Sequence, residues 1–158
     1  MPFIGIISNE DTENCIRDCI LDRTKLRESS VLFIKEKSIE NIKNIKFETI
    51  IVDRSFKKSE ILKKMIDSAN YLIINSDIES NLDLLNNVNT TVISYGFNSK
   101  ATITASSVGE NEMLICVQRA IEGKNNNVIE PEEINMEIYK NANCTMALAG
   151  ALLIYDKI

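Results

Sequence analysis

The sequence predicts an α/β protein with a doubly wound, mostly parallel, Rossmann-like sheet, followed by an antiparallel β meander and a buried C-terminal helix. Short apolar runs alternate with segments of helical periodicity as far as residue 95, which is typical of βαβ units. Beyond residue 95, β-type runs follow one another with only turns between them, and the last segment is apolar nearly all round. The length of 158 residues predicts a single domain covering 1–158.

Five strands are predicted in the first part of the chain, each nearly continuous in apolar residues, as expected where helices cover both faces of a sheet. They are residues 3–7, 31–34, 49–52, 71–74 and 91–94. Amphipathic segments predict helices at 13–26, 59–69 and 79–87, and a short turn is predicted at 39–44. In the last of these helices we expect Leu82 and Leu85 to be buried, and Asp83 and Asn86 to face solvent.

The meander is predicted to consist of residues 101–108, 113–121 and 128–138. Residues 123–127, Gly-Lys-Asn-Asn-Asn, have the composition of a hairpin loop, because glycine and asparagine tolerate positive φ. Pro131 is expected on an edge strand or at a bulge, since it has no N–H to donate. Residues 144–154, rich in alanine and apolar throughout, predict the buried C-terminal helix.

Charge and composition exclude several classes of function. The net charge of −5 and pI of about 4.9 argue against a nucleic-acid partner. No stretch reaches the roughly 18 to 20 apolar residues of a membrane span, and residues 1–8 lack the features of a signal peptide. We therefore expect a cytoplasmic protein without a membrane partner. With no histidine, and cysteines in apolar segments, we expect neither a metal site nor a cofactor.

Ligands of doubly wound sheets bind beyond the carboxyl ends of the strands, so polar residues there are the candidate site. These residues are Ser8, Asn9, Glu10, Asp53, Arg54, Asn75, Ser76, Asp77 and the segment 95–100. The turn after the first strand lacks the glycines and lysine of a phosphate-binding loop. Its acidic residues, Glu10, Asp11 and Glu13, would repel a polyphosphate. ATP hydrolysis is therefore not expected.

Two interpretations of the segment after Ser94 remain open. In the structural one, Gly96 supplies an unusual backbone angle, Phe97 fills the core, and Thr102 and Thr104 lie on the solvent face of a strand.

In the ligand-binding interpretation, Asn98, Ser99 and Lys100 form an anion-recognition corner opposite Asn75 and Asp77. Without histidine, acid–base catalysis would depend on carboxylates, of which Asp77 is the best candidate. No catalytic residue is assigned.

The order of motifs in the second half resembles the central domain of the Mur ligases. Asn75-Ser76-Asp77 looks like the Asn-x-Asp-Asp turn of that domain, and residues 92–97, Val-Ile-Ser-Tyr-Gly-Phe, are similar to its next strand. Residues 142–151 resemble its His-Asn-x-x-Asn-Ala-Leu-Ala-Ala helix start. The match covers residues 71–153 and implies an α/β fold from a family of ATP-dependent amide-bond enzymes of peptidoglycan synthesis.

The sequence lacks the residues that the Mur ligases use for catalysis and for binding ATP. Asn143 matches the asparagine of the family's His-Asn pair, but Ala142 stands at the histidine position and Met146 at that of the second asparagine, which in the family helps to hold adenine. The P-loop is missing, and neither the Mg²⁺-binding residues nor the modified lysine can be matched. The resemblance therefore supports the fold more than the activity.

Three functions remain as hypotheses. The preferred one is a non-catalytic, Mur-ligase-like binding or assembly protein linked to cell-wall or sporulation metabolism, with a small molecule or a protein as its unidentified partner. The first alternative is a small-molecule sensor or carrier that binds at the ends of strands 4 and 5. The second is a carboxylate-dependent enzyme completed by a partner, for which a homodimer would suffice. The tentative ligand-binding residues are Asn75, Asp77, Tyr95, Asn98, Ser99, Lys100 and Asn143.

Overall fold

The computed structural model describes residues 2–57 and 59–158. Its larger sheet contains β1 (Ile4–Ile7), β2 (Val31–Phe33), β3 (Thr49–Val52), β4 (Tyr71–Asn75), β5 (Thr91–Tyr95), β6 (Ile103–Val108), β7 (Glu112–Val117) and β10 (Glu132–Glu137). A separate two-stranded sheet pairs β8 (Ile121–Glu122) with β9 (Val128–Ile129). The helices are α1 (Glu10–Arg23), α2 (Ile39–Ile42), α3 (Ser59–Ser68) and α4 (Ala142–Ile154).

The order of the large sheet is β10-β7-β6-β5-β4-β3-β1-β2. Strands β1 to β6 are mutually parallel, whereas β7 is antiparallel to β6 and β10 is antiparallel to β7. The predicted parallel sheet, meander and C-terminal helix are thus confirmed, and the meander extends the parallel sheet. Because β1 lies between β2 and β3, the winding reverses direction there, which makes the carboxyl ends of β1 and β3 the topological switch point.

Helices cover the two faces of the sheet unequally. On one face, α1 and α4 pack over a core that runs from β1 to β10. On the other face, α2 and α3 pack against β1, β3 and β4, and this core reaches only as far as Val92 of β5. In the described parts of the chain, no helix covers the second face of β6, β7 and β10, where Leu114 and Cys116 stay partly exposed. This difference explains why the first strands are continuously apolar and the later ones alternate.

Helix α4 is buried from Cys144 to Ile154, as its all-round apolar sequence predicts. A Cβ at Gly150 would lie 3.3 Å from Ile73, so glycine permits this close approach of the helix to β4. None of the helices in the described ranges is long and apolar enough to cross a membrane.

Several local expectations are wrong. The predicted helix at 79–87 is a 3₁₀ helix, Glu79–Leu85, and with three residues per turn it buries Asn81 and Leu84 while Leu82 is 45% exposed. Asp83 and Asn86 face solvent as expected.

The long strands predicted for the meander are interrupted: β7 and β8 divide residues 113–121, and β9 and β10 divide residues 128–138. Pro131, which cannot donate to a ladder, lies at the second break, directly before the edge strand β10. The loop predicted at 123–127 does connect β8 to β9.

Candidate functional site

Four side chains meet where β1, β3, β4 and β5 end, and we refer to Ser8, Asp53, Asn75 and Tyr95 as the Asp53 cluster. Ser8 Oγ donates to Asp53 Oδ2 at 2.9 Å, and the Tyr95 hydroxyl donates to Asp53 Oδ1. The Asn75 side chain lies near Asp53 and acts to lower the pKa of that carboxyl. Because Ser8, Asn75 and Tyr95 are buried, this network ties four strand ends together away from solvent.

The electrostatics of the cluster follow from burial. Loss of solvent raises the pKa of Asp53, and the hydrogen bonds from Tyr95, Ser8 and Asn75 only partly oppose that shift. Burial also raises the pKa of Tyr95, and the nearby Asp53 charge adds to this shift. No lysine or arginine in the described residues forms an ion pair with Asp53. Each carboxylate oxygen of Asp53 thus accepts one hydrogen bond from a buried hydroxyl, which fixes the orientation of the carboxylate within the cluster.

A second group, which we refer to as the Asp77 loop, comprises Ser76, Asp77 and residues 96–98. The Asp77 carboxylate accepts hydrogen bonds from the backbone N–H groups of Phe97 (2.7 Å) and Asn98 (3.1 Å) and from Asn98 Nδ2 (2.7 Å). Gly96 has φ of +151°, and a Cβ there would lie 2.5 Å from Asp77 Oδ1. Burial acts to raise the pKa of Asp77, but the hydrogen bonds from Asn98 and Phe97 outweigh it and lower that pKa. The loop is therefore braced by its own carboxylate.

The hydrogen bonds to Asp77 limit what the predicted anion-recognition corner can offer to a ligand. The N–H groups of Phe97 and Asn98, which an anion at this corner would need, already donate to Asp77. Ser99 and Lys100 are exposed, and the Lys100 backbone N–H donates to Asn98 Oδ1 at 3.1 Å.

Two expectations of the structural interpretation fail at this loop. Phe97 is 54% exposed and does not fill the core, because the backbone at Gly96 directs the chain outward. Thr102 is buried, since its N–H and hydroxyl contact Ser94 Oγ. The unusual backbone angle expected at Gly96 is confirmed.

The structure brings Asn75, Asp77, Tyr95 and Asn98 together, but it separates Asn143 from them. Asn143 lies in the first turn of α4, and in the described residues no hydrogen bond joins it to the other predicted site residues. Its Oδ1 is buried without a partner there. The helix cap is instead Asn141, whose side chain accepts from Cys144 N at 2.8 Å.

A cleft of about 540 Å³ opens at the switch point, between the turns that follow β1, β2 and β3. We refer to it as the switch-point cleft. Its lining residues are Ser8, Asn9, Glu10, Lys35, Glu36, Lys37, Ser38 and Arg54. Ser8 belongs also to the Asp53 cluster, so the floor of the cleft is held rigidly by that network. All of these lining residues are polar or charged, and both signs of charge are present.

Some of the charges in the cleft are already paired. Lys35 Nζ lies 2.6 and 2.7 Å from the two carboxylate oxygens of Glu13, which is buried. Arg54 Nη1 lies 3.2 Å from Glu36 Oε1, and this contact lowers the pKa of Glu36. Lys37 is exposed and has no ion pair within the described residues. Lys37 is therefore the cation of the cleft that is available to a ligand.

Sequence reasoning placed no candidates after β2 and so missed Lys35 and Lys37. The same rule that selected Ser8 and Asp53, polar residues at the carboxyl end of a parallel strand, would have identified both lysines. The link between Asp53 and Tyr95 has no signal in the sequence, because it depends on the register of β3, β4 and β5.

The cysteines do not add reactive groups to the site. Burial raises the pKa of the Cys144 thiol, and the nearby Cys15 adds to this shift, which disfavours the reactive thiolate. Within the ranges 2–57 and 59–158, no three Cys, Asp or Glu side chains are grouped so that they could hold a metal ion.

Fold and site together define a doubly wound α/β protein with a candidate ligand cleft at its topological switch point. No protein-family model matches the chain, and no curated protein matches it either.

Proposed function

We propose that this protein is a non-catalytic binding protein that holds a small polar molecule in the switch-point cleft. The observation that carries the proposal is that the reversal in the winding of the parallel strands coincides with a cleft of about 540 Å³ lined by polar and charged residues. In open α/β sheets ligands bind at such a reversal, outside the carboxyl ends of the strands. The size is within the range of clefts that hold small molecules.

The lining of the cleft supports binding over catalysis. Of the Asp53 cluster, Ser8 lines the cleft, whereas the Asp53 carboxylate lies behind it and accepts hydrogen bonds from Ser8 and Tyr95. Asp77, the best carboxylate candidate for catalysis in the sequence, is exposed, and its pKa is lowered rather than raised. A general acid or base working at neutral pH needs the opposite shift.

The cleft is also unsuited to a nucleoside triphosphate. Helix α1 starts directly after Asn9, and its first turn carries Glu10, Asp11 and Glu13. Of these, Glu13 is neutralised by Lys35, but Glu10 and Asp11 are exposed carboxylates with no ion pair in the described residues. Polyphosphate at this turn would meet uncompensated negative charge. A reduced, Mur-ligase-like binding or assembly role in cell-wall or sporulation metabolism is the biological setting that the motifs favour.

Thermal unfolding in the presence of candidate ligands tests the proposal. The panel contains amino acids, dicarboxylates, sugar phosphates and nucleotides, including ATP with Mg²⁺. A ligand at one hundred times its Kd stabilises the native state by about 2.7 kcal/mol. For a domain of this size this corresponds to an increase in Tm of roughly 5 to 10 °C. We expect such an increase with at least one small polar compound and none with ATP and Mg²⁺.

The chain offers a matched pair of variants for locating the site. Lys37→Ala and Lys100→Ala each remove one exposed lysine at the same edge of the sheet, the first from the switch-point cleft and the second beside the Asp77 loop. We expect Lys37→Ala to weaken binding at least fivefold and Lys100→Ala to leave it unchanged. The reverse result would move the site to the ends of β4 and β5, and a large shift with ATP and Mg²⁺ would refute the proposal.

A further inference from the structure

The large sheet has an opening beside β5, where the parallel strands meet the meander. All five residues of β5 pair with β4. On its other side, within the described residues, β5 is in register with β6 only at its last residue, where Tyr95 stands beside Ile103, because β6 starts where β5 ends. The outer edge of β5 is therefore unpaired over most of its length.

The ladder with β4 shows which backbone groups face this opening. Thr91 N donates to Asn70 O at 3.1 Å, and Tyr95 O accepts from Ser76 N at 2.9 Å, so both residues turn their backbone groups towards β4. Successive residues of a strand between two parallel neighbours alternate between the two sides. Val92 and Ser94 therefore direct their backbone groups away from β4. Gly96 N donates to Ile103 O at 3.1 Å, so the hydrogen bonds to β6 lie at the carboxyl end of β5.

Across the opening lies the segment that follows β7. Gln118 N donates to Thr102 O at 2.8 Å, after which the chain leaves the sheet and Ile121 pairs with Ile129 of β9. A cleft of about 440 Å³ separates β5 from residues 119–122. In the described residues no backbone hydrogen bond crosses it. The N–H and C=O of Val92 and the N–H of Ser94 thus face a cleft bounded by strand on one side and by an extended segment on the other.

We propose that this cleft, which we refer to as the β5 cleft, binds an extended peptide segment of a partner protein that adds to the outer edge of β5. Main-chain groups spaced along a strand are the recognition element of β-strand addition. Residues 91–94 span about 13 Å at the rise of a parallel strand, which fits about four residues of a peptide. This interaction surface is separate from the switch-point cleft.

The walls define the chemistry of the partner segment. Between its rims the cleft is lined by uncharged side chains, with Val92, Ser94 and Thr102 on the β5 and β6 side and Ala120 opposite. Arg119 and Glu122 are exposed and lie at its rim. The occupant is therefore a segment with small or β-branched, uncharged residues. The edge strand β10 of a second copy is a poor occupant, because it would bring Glu132, Glu133 and Glu137 next to Glu122.

Amide NMR spectra of the full chain test the inference with a blocked tetrapeptide of alternating threonine and valine as the probe. We expect the Val92 and Ser94 amides to shift on titration and to become at least tenfold more protected from hydrogen exchange. The same peptide with proline in place of each valine is the probe control, because it loses half of its donors. An unchanged spectrum at millimolar tetrapeptide, or equal shifts with the proline peptide, would overturn the inference.

Two variants test peptide binding without altering any residue of β5. Ala120→Trp fills the cleft from an exposed position, and we expect it to abolish the tetrapeptide shifts while leaving the far-UV circular dichroism unchanged. Lys37→Ala, in the other cleft, should leave peptide binding unaltered. Persistence of the shifts in Ala120→Trp, or self-association through β5 detected by sedimentation, would count against a peptide partner.

Discussion

Asp53 and Asp77 follow neighbouring strands at the same edge of the sheet, and both carboxylates are hydrogen-bonded, yet their pKa values shift in opposite directions. Asp53 accepts from the hydroxyls of Ser8 and Tyr95 within a buried cluster, and its pKa is raised. Asp77 accepts from two backbone N–H groups and an amide in an exposed loop, and its pKa is lowered. The extent of burial, more than the number of hydrogen bonds, decides whether the pKa of each aspartate is raised or lowered.

The comparison also shows where a ligand can bind. Both carboxylates accept hydrogen bonds from neighbouring groups of the protein. Asp53 bonds Ser8 and Tyr95 at the strand ends, and Asp77 bonds the backbone of residues 97 and 98. At the ends of β4 and β5 the Asp77 carboxylate and the N–H groups of Phe97 and Asn98 are bonded to each other, whereas Lys37 in the switch-point cleft has no ion pair in the described residues. Variants at Asp77 should therefore affect stability without changing the switch-point cleft, whereas variants at Asp53 also remove the hydrogen-bond partner of Ser8, which lines the cleft.

The largest effect is expected from Asp53→Ala. Removing the carboxylate leaves the Tyr95 and Ser8 hydroxyls without their acceptor in a buried site, at about 1 to 3 kcal/mol for each. Relief of the carboxylate's own desolvation offsets part of this cost. We expect a loss of about 3 kcal/mol in the free energy of unfolding, measured by urea denaturation.

Asp53→Asn is the control for this variant. It keeps an oxygen acceptor for Tyr95 and removes the charge, so it should cost less than half as much as Asp53→Ala. Equal losses in the two variants would mean that the charge itself, and not the acceptor, stabilises the cluster.

Gly96→Ala should have the next largest effect, at about 2 kcal/mol, on the Asp77 loop. The φ of +151° is disfavoured for alanine, and the new Cβ would lie 2.5 Å from Asp77 Oδ1. Ser99→Ala, a change at the exposed residue that follows this loop, should stay within about 0.5 kcal/mol.

A double variant shows whether the clash with Asp77 is the cause. Gly96→Ala combined with Asp77→Ala should lose less than the sum of the two single variants, because the carboxylate that meets the new Cβ is gone. Additive losses in urea denaturation would assign the whole effect to the backbone angle and leave the contact irrelevant.

Most of the fold could be predicted from the sequence, and the reason is the double covering of its first strands. Strands with helices on both faces are continuously apolar, so β1 to β5 are found to within a residue. The sequence predictions are wrong where helices cover only one face of the sheet or where the backbone is irregular. Leu82 is exposed because the segment is a 3₁₀ helix, and Phe97 is exposed because Gly96 takes a positive φ.

The candidate site was less predictable for a different reason. The sequence shows which residues end a strand, such as Asp53 and Asn75, but the strand order decides which ends are neighbours. The bond between Tyr95 and Asp53 spans 42 residues and follows from the register of three strands. The switch-point cleft likewise requires β1 to lie between β2 and β3, which apolar patterns alone do not specify.

Asp77→Ala alone should cost about 1 kcal/mol. It removes three accepted hydrogen bonds, but solvent can replace them because the loop is exposed. Circular dichroism at increasing urea gives the loss, and hydrogen exchange should show faster exchange at the Phe97 and Asn98 amides. Unchanged exchange at these two amides would mean that the carboxylate does not brace the loop.

The smallest signal, and the one most specific to the comparison, is the pH dependence of stability. The native state binds the Asp53 proton more tightly than the unfolded state, so the contribution of Asp53 falls as pH rises from its ordinary pKa of 3.8 through its raised native value. Asp77 behaves in the opposite sense: its contribution is complete above 3.8 and is lost as pH falls through its lowered native pKa. The difference in unfolding free energy between wild type and Asp53→Asn should therefore decline with pH above 4.

The difference in unfolding free energy between wild type and Asp77→Asn should be constant above pH 4 and should decrease as the pH falls below 4. Subtracting each variant from wild type cancels the remaining carboxylates, which titrate alike in all three proteins. If the two difference curves had the same slope, the aspartates would share one environment. The separation of a buried cluster from an exposed loop would then not describe this edge of the sheet.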